Sequence, residues 1–169
     1  GINATWTLSA SGDVANQKIS FYQDNICTTA TGGSPITLSN AVTTQSFTGV
    51  DASTYYFNIL VTDTAGNTTT TACSPAMAID TTPPVAANTL GWLEGAGSNS
   101  PNVNASWTKS TSADLNSQTV TYYTDPGCTI AESTVNVVSN VVTTNAFTGV
   151  DGTVYYYTVR STDTANNST

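Results

Sequence analysis

The side chains able to do chemistry in this chain are few and of restricted kinds. Cys27, Cys73 and Cys128, 11 acidic residues and 3 basic ones are spread through 169 residues, and histidine is absent. Without histidine the commonest general base, the commonest zinc ligand and the Ser-His-Asp and Cys-His arrangements all disappear. The cysteines show no C-x-x-C spacing, so a zinc site is not expected, and no base is at hand to activate a thiol nucleophile. Glycoside hydrolysis needs two carboxyl groups facing one cleft. Here Asp13, Asp24 and Asp63 return later as Asp114, Asp125 and Asp163, as residues of a scaffold do. No catalytic residue, no metal ligand and no cofactor is expected.

Two further kinds of site need weighing. Asp63 and Asn67 in "DTAGN", Asp163 and Asn167 in "DTANN", and Asp80 in "IDTTPP" offer oxygens to calcium. Calcium takes six to eight oxygens, whereas these are sparse, single carboxylates. The competing reading is turn chemistry, in which Asp and Asn bond their own backbone and Gly66 allows positive φ. Asp13 in "SGDVANQ" and Asp114 in "SADLNSQ" read as loop-shaping residues in the same way. Tyr22, Tyr56, Tyr123 and Tyr156 are expected on exposed strand faces, where they either stack on sugars or pair across strands. Asn3, Asn67, Asn104 and Asn167 match the glycosylation sequon, a match that so Thr-, Ser- and Asn-rich a chain produces by chance.

Composition narrows the partners. Charged residues make up 8% of the chain, against about 25% in ordinary globular proteins. Hydroxyls and amides must therefore carry solubility. The formal charge of -8 makes nucleic acid a poor partner, because phosphate binding needs clustered cations. An anionic membrane surface is disfavoured for the same reason. No apolar run approaches the roughly 18 residues of a membrane span, so membrane insertion is not expected.

The elements that must position these residues are written twice. "NATWT" at residues 3–7 aligns with "NASWT" at 104–108, and Gln17, Tyr22 and Cys27 align with Gln118, Tyr123 and Cys128. "FTGVDASTYYFNILVTDTAGN" from Phe47 then aligns with "FTGVDGTVYYYTVRSTDTANN" from Phe147, one residue closer, so a single deletion lies between the two blocks. A period of about 100 residues suits whole β-sandwich domains rather than solenoid units. Within each copy the apolar residues alternate: Ile19 and Phe21, Val120 and Tyr122, then Tyr55, Phe57, Ile59 and Val61 share faces at the two-residue period of a strand. Asp, Gly, Asn and Pro clusters separate these runs, and no helical periodicity competes. The class is all-β.

Trp6 in an early strand, "ISFY" in the next and "GVDASTYYFNILVTDTAGN" resemble the B, C and F strands of fibronectin type III domains, over most of both copies. The resemblance implies a seven-stranded, Ig-like sandwich of a three-stranded and a four-stranded sheet. It also implies core roles for Trp6, Tyr55, Phe57 and Ile59, and for Trp107, Tyr155, Tyr157 and Val159. Cysteine is a departure, since typical members lack it. The Thr/Ser/Ala-rich, Lys-poor texture and the "DTTPP" junction look like tandem repeats of large bacterial surface or secreted proteins. An extracellular or cell-surface location is what that likeness implies.

Pro83 and Pro84 punctuate the chain, which gives expected domains at 1–82 and 83–169. The first is expected to lack its first strand and the second its last, as in a section of a longer array. Donor-strand assembly is the less favoured explanation. On the array reading Cys27 pairs with Cys73, and the partner of Cys128 lies outside this sequence. Closing that loop of about 46 residues contributes about 4 kcal/mol in the chain-entropy model. The alternative is three buried thiols without a bridge.

The expected role is a non-catalytic spacer, stalk or fibre segment whose partners are neighbouring repeats of the same array. The alternatives are a module binding a host or prey cell-surface glycan or protein through loops or a tyrosine face, and an accessory domain of a secreted carbohydrate-active enzyme. A cleft or exposed aromatic cluster that differs between the copies would favour binding.

Overall fold

The structure is a computed structural model of residues 1–169, described throughout apart from the side chains of residues 133–135. It contains strands and no helix among the described residues, and the chain divides into two units, Gly1–Thr81 and Thr82–Thr169. The expected boundary lay one residue later.

Unit 1 holds β1 (Ile2–Thr5), β2 (Val14–Tyr22), β3 (Ile36–Ser39), β4 (Thr44–Phe47), β5 (Ser53–Asp63), β6 (Thr68–Thr70) and β7 (Met77–Ile79). β1 pairs with β4, and facing them lies a sheet in the order β3-β2-β5-β6, with β7 also on β5. Unit 2 holds β8 (Asn88–Trp92), β9 (Asn102–Thr108), β10 (Leu115–Tyr123), β11 (Ala131–Ser139), β12 (Thr144–Thr148) and β13 (Tyr156–Asp163). Its sheets run β12-β9-β8 and β11-β10-β13, and every pairing in both units is antiparallel.

The repeat extends to register. Ile19 lies opposite Ile59 and Phe21 opposite Phe57 in unit 1; Val120 lies opposite Val159 and Tyr122 opposite Tyr157 in unit 2. Each pair of long strands shifts register at the same place, between Val14 and Asn16 and between Leu115 and Ser117. These alternate residues fill the cores, so the two-residue period decides the buried face. Ile19, Phe21 and Ile59 are buried in unit 1, and Trp107, Val120 and Tyr122 in unit 2. Phe21 stacks on Phe47 with ring centres 4.3 Å apart, and Tyr122 stacks on Phe147 at 4.2 Å.

Each unit carries the same buried polar device. The Trp6 indole donates to Gln17 Oε1 at 3.0 Å, and Gln17 Nε2 donates to the carbonyls of Ser39 and Val42. In unit 2 the Trp107 indole donates to Gln118 Oε1 at 2.8 Å, and Gln118 Nε2 reaches the carbonyls of Ser139 and Val142. A buried amide is costly unless its groups are bonded, and here both ends of each are. The device ties the Trp strand, the central strand and one loop together.

The last strand of unit 1 is split into β6 and β7. Pro75 has no N–H to offer a ladder. Between the two pieces, Thr71 Oγ1 accepts the Ile59 N–H at 3.0 Å and Ser74 Oγ accepts the Phe57 N–H at 2.9 Å. Side-chain hydroxyls thus take the place of strand carbonyls, and the segment carrying Cys73 is held by them.

Candidate functional site

The cysteines are built by a repeated turn. In "DNICTT" Asp24 accepts the backbone N–H of Thr28 and of Thr29, each at 2.9 Å, and the Cys27 N–H bonds to the Asp24 carbonyl at 3.2 Å. In "DPGCTI" Asp125 accepts the N–H of Thr129 at 2.9 Å and of Ile130 at 2.7 Å, and the Cys128 N–H bonds to the Asp125 carbonyl at 3.1 Å. Both cysteines adopt a left-handed backbone, with φ of 53° and 52°. The Thr29 N–H, and after it the Thr28 N–H, hold the Asp24 carboxyl below the usual carboxylate range; the Ile130 N–H does the same first for Asp125. Cys27 and Cys73 form a disulfide with Cα atoms 5.8 Å apart, and Cys128 is unbridged and half-buried. One scaffold is therefore used for a bridge in unit 1 and carries a thiol in unit 2.

The "DTAGN" and "DTANN" carboxylates are occupied within their own turns. Asp63 Oδ1 accepts the N–H of Ala65 at 2.9 Å and of Asn67 at 2.8 Å, while Oδ2 accepts Asn67 Nδ2 at 2.8 Å. Asp163 makes the same contacts to Ala165 and Asn167 at 2.9, 2.8 and 3.0 Å. The Asn67 side chain leads the causes that lower the Asp63 pKa. Asp80 follows β7 in unit 1, whereas Asp163 ends β13 in unit 2. Asp13 and Asp114 lend their carbonyls to the N–H groups of Thr64 and Thr164, both near 3 Å, which joins two loops at the same end of each sandwich.

The tyrosines expected on exposed faces are not exposed. Tyr22 is buried, and Tyr56, Tyr123 and Tyr156 are half-buried. Tyr22 lies opposite Tyr56 and Tyr123 opposite Tyr156, so they pair across strands. The Tyr22 hydroxyl donates to Asn58 Oδ1 at 3.2 Å, and Tyr123 shares a hydrogen bond with Thr158 Oγ1 at 3.3 Å.

The "FTGVD" segments hold a second repeated device. The Val50 N–H donates to the Tyr55 hydroxyl at 3.1 Å, and the Val150 N–H donates to the Tyr155 hydroxyl at 3.0 Å. Such a corner, a tyrosine bonding backbone a few residues upstream, pins the loop before a long strand. Glycine is required beside it. A Cβ on Gly49 would meet Ile79 at 2.6 Å and the Tyr55 ring at 2.8 Å, and one on Gly149 would meet the Tyr155 ring at 2.7 Å.

Unit 2 also has a cleft of about 460 Å³ between residues 94–101 and 149–155. Its aromatic walls, Trp92 and Tyr155, are committed to the core. Trp92 lies 5.1 Å from Tyr157 and Tyr155 lies 4.7 Å from Phe147, ring centre to ring centre. The Glu94 carboxylate accepts the Asn104 N–H at 2.9 Å and its Nδ2 at 2.8 Å, which holds its pKa below the ordinary value. A second carboxyl residue, Asp151, also lines the cleft.

No family model matches the sequence, and no curated protein does. Among solved structures, the chain is similar to the FN1–FN3 domains of chicken CNTN1, with a TM-score of 0.59 and 15% identity over 97% of this chain and 57% of that one. This chain therefore spans less than two thirds of that structure's length. The likeness concerns the fold: the chain is an all-β protein built of fibronectin type III-like, Ig-like sandwiches.

Proposed function

We propose that this chain is a non-catalytic structural and adhesive module, a spacer, stalk or fibre segment within a tandem-repeat protein displayed outside a bacterial cell. The observation that carries this reading is how the polar side chains are used twice over. The Trp–Gln network, the tyrosine corner and the Asp-centred turns all recur, and each hydrogen-bonds the fold to itself. The disulfide supports an oxidising location. The mechanism would be mechanical. Pulling on unit 1 would leave the segment between Cys27 and Cys73, 46 residues apart, locked out of extension.

Single-molecule stretching tests this. Reduction should lengthen the unfolding step of one unit by about 160 Å, taking about 3.5 Å per residue, and leave the other step unchanged. Equal steps with and without reductant would count against a force-bearing role for the bridge.

A second reading, a glycan- or protein-binding module, is favoured by the unit 2 cleft, which lies between loops as in many binding domains. Titrating cell-surface glycans against the chain separates the two. The structural reading expects no saturable change at residues 94–101, and the binding reading expects one there.

A further inference from the structure

The Cys27–Cys73 bridge joins two segments that the fold already holds by other means. Cys73 lies between β6 and β7, and both of those strands pair with β5. Within the stretch, Thr71 and Ser74 each make a reciprocal pair of hydrogen bonds. The Thr71 N–H donates to the Ile59 carbonyl at 2.9 Å, while Thr71 Oγ1 accepts the Ile59 N–H at 3.0 Å. The Ser74 N–H donates to the Phe57 carbonyl at 2.9 Å, while Ser74 Oγ accepts the Phe57 N–H at 2.9 Å. Cys73 is thus pinned to β5 on both of its flanks by bonds that owe nothing to its sulfur.

Unit 2 supplies the control for the other cysteine. Cys128 is unbridged, yet its turn matches that of Cys27 in backbone angle, φ 52° against 53°. The N–H of each cysteine bonds to the carbonyl of the aspartate three residues earlier, at 3.1 and 3.2 Å. Each aspartate also accepts two N–H groups from the residues that follow the cysteine. The turn is therefore set by Asp24 or Asp125, and it forms with or without a disulfide.

A disulfide acts chiefly on the unfolded chain, whose loop it closes. Cutting this one leaves the bonds on both sides of it in place. The Cys73 sulfur lies 3.9 Å from the Asp24 carbonyl oxygen, so a thiol formed there meets an acceptor at once. Cys27 and Cys73 are both half-buried, which leaves the pair open to a small reagent.

We propose that Cys27 and Cys73 form a thiol–disulfide exchange site that opens and closes within folded unit 1, with low-molecular-weight thiols and disulfides as its co-reactants. In closure, one cysteine thiolate attacks a sulfur of the small disulfide, forming a mixed disulfide and expelling one small thiolate. The second cysteine loses its proton and attacks the cysteine sulfur of that mixed disulfide, expelling the other small thiolate. Two cysteine thiols are oxidised to the bridge and one small disulfide is reduced to two thiols. Opening is the reverse. The inference goes beyond the proposed structural role and does not depend on it.

The test uses the whole chain after reduction. Amide exchange followed by NMR should leave the Phe57 and Ile59 N–H groups protected, because their acceptors are Ser74 and Thr71 rather than the bridge. Oxidised glutathione is then added, samples are alkylated at intervals, and Cys27 and Cys73 are followed by peptide mass. The closure step, read as decay of the mixed disulfide, should be at least about a hundredfold faster than in denaturant. A flexible loop offers only millimolar effective concentration, and positioned groups offer far more. Thr71→Val and Ser74→Ala should each slow closure by about fivefold, the worth of one hydrogen bond, and Thr71→Ser should keep the native rate. Loss of Phe57 and Ile59 protection on reduction would overturn the proposal, as would closure no faster in the folded chain than in denaturant. Full-rate closure in both hydroxyl variants would overturn it as well, because Thr71 and Ser74 would then position nothing. Should those variants not fold, exchange and closure in the unmutated chain still decide.

Discussion

Trp6 and Trp107 stand at the same point of the repeat and make the same indole hydrogen bond, to Gln17 and Gln118, yet Trp107 is buried and Trp6 only half so. The hydrogen bond depends on the facing strand and one loop, which both units have. The burial follows β8, the strand of unit 2 that pairs with β9 and carries Trp92 onto the same cluster. The same polar network is thus made whether the indole is half-buried or buried, and the two contributions should separate by mutation. Unit 1 has a covalent link in the Cys27–Cys73 bridge, and unit 2 has the more deeply buried indole.

The widest separation is expected from removing the two indoles in turn. Trp107→Ala should cost unit 2 about 3–5 kcal/mol as a large buried truncation. Trp6→Ala should cost unit 1 nearer about 2 kcal/mol, because part of its surface is already wet. Equal shifts of the two denaturation midpoints would break the comparison. Reduction of the disulfide comes next and should act on the other unit. It should destabilise unit 1 by up to about 4 kcal/mol and leave the unit 2 transition in place, as followed by denaturant titration with and without reductant.

Smaller and more even effects are expected where the units agree. Tyr55→Phe and Tyr155→Phe each remove the acceptor of one backbone N–H, and each should cost about 1 kcal/mol. A large difference between them would mean that the two corners are not equivalent.

The alkaline limb should again tell the units apart, though less strongly. Burial first, and then the neighbouring Tyr157, push the Tyr122 pKa from 10.0 to about 12. The unfolded chain therefore releases this proton before the folded one, and the associated stability is whole below pH 10 and declines toward pH 12. Unit 1 has Phe21 at that place, so Tyr122→Phe should flatten the unit 2 alkaline limb and make it resemble unit 1.

Much of the fold was legible because a strand with one buried face must alternate. Ile19, Phe21, Val120 and Tyr122 announce the core by parity alone. The same parity held a clue that hydrophobicity hides. Gln17 shares the inward face of Ile19 and Phe21, and it recurs as Gln118, so a polar residue repeated at an inward place marks a satisfied buried network.

Parity misled for Tyr22, which is on the opposite face and yet buried. Neighbouring side chains such as Tyr56 and Asn58 cover that face, and no local pattern reports them. The split of the last strand in unit 1 was also hidden, since it depends on Thr71 and Ser74 hydroxyls meeting particular N–H groups across the sheet. The unit 2 cleft was illegible for a related reason: loops distant in sequence must first be folded together.

The claim on which the comparison rests is that equivalent strands, β1 and β9, differ in having one covered edge or two. Amide exchange of the unmodified chain tests it most directly. Asn104 and Ser106 on the β8 side of β9 should exchange slowly, while Asn3 and Thr5 on the uncovered side of β1 should exchange close to the rate of an open loop, although Ala4 and Trp6 in the same strand remain protected. Uniform slow exchange across Asn3, Ala4, Thr5 and Trp6 would contradict the account, because it would mean that the outer edge of β1 is already paired.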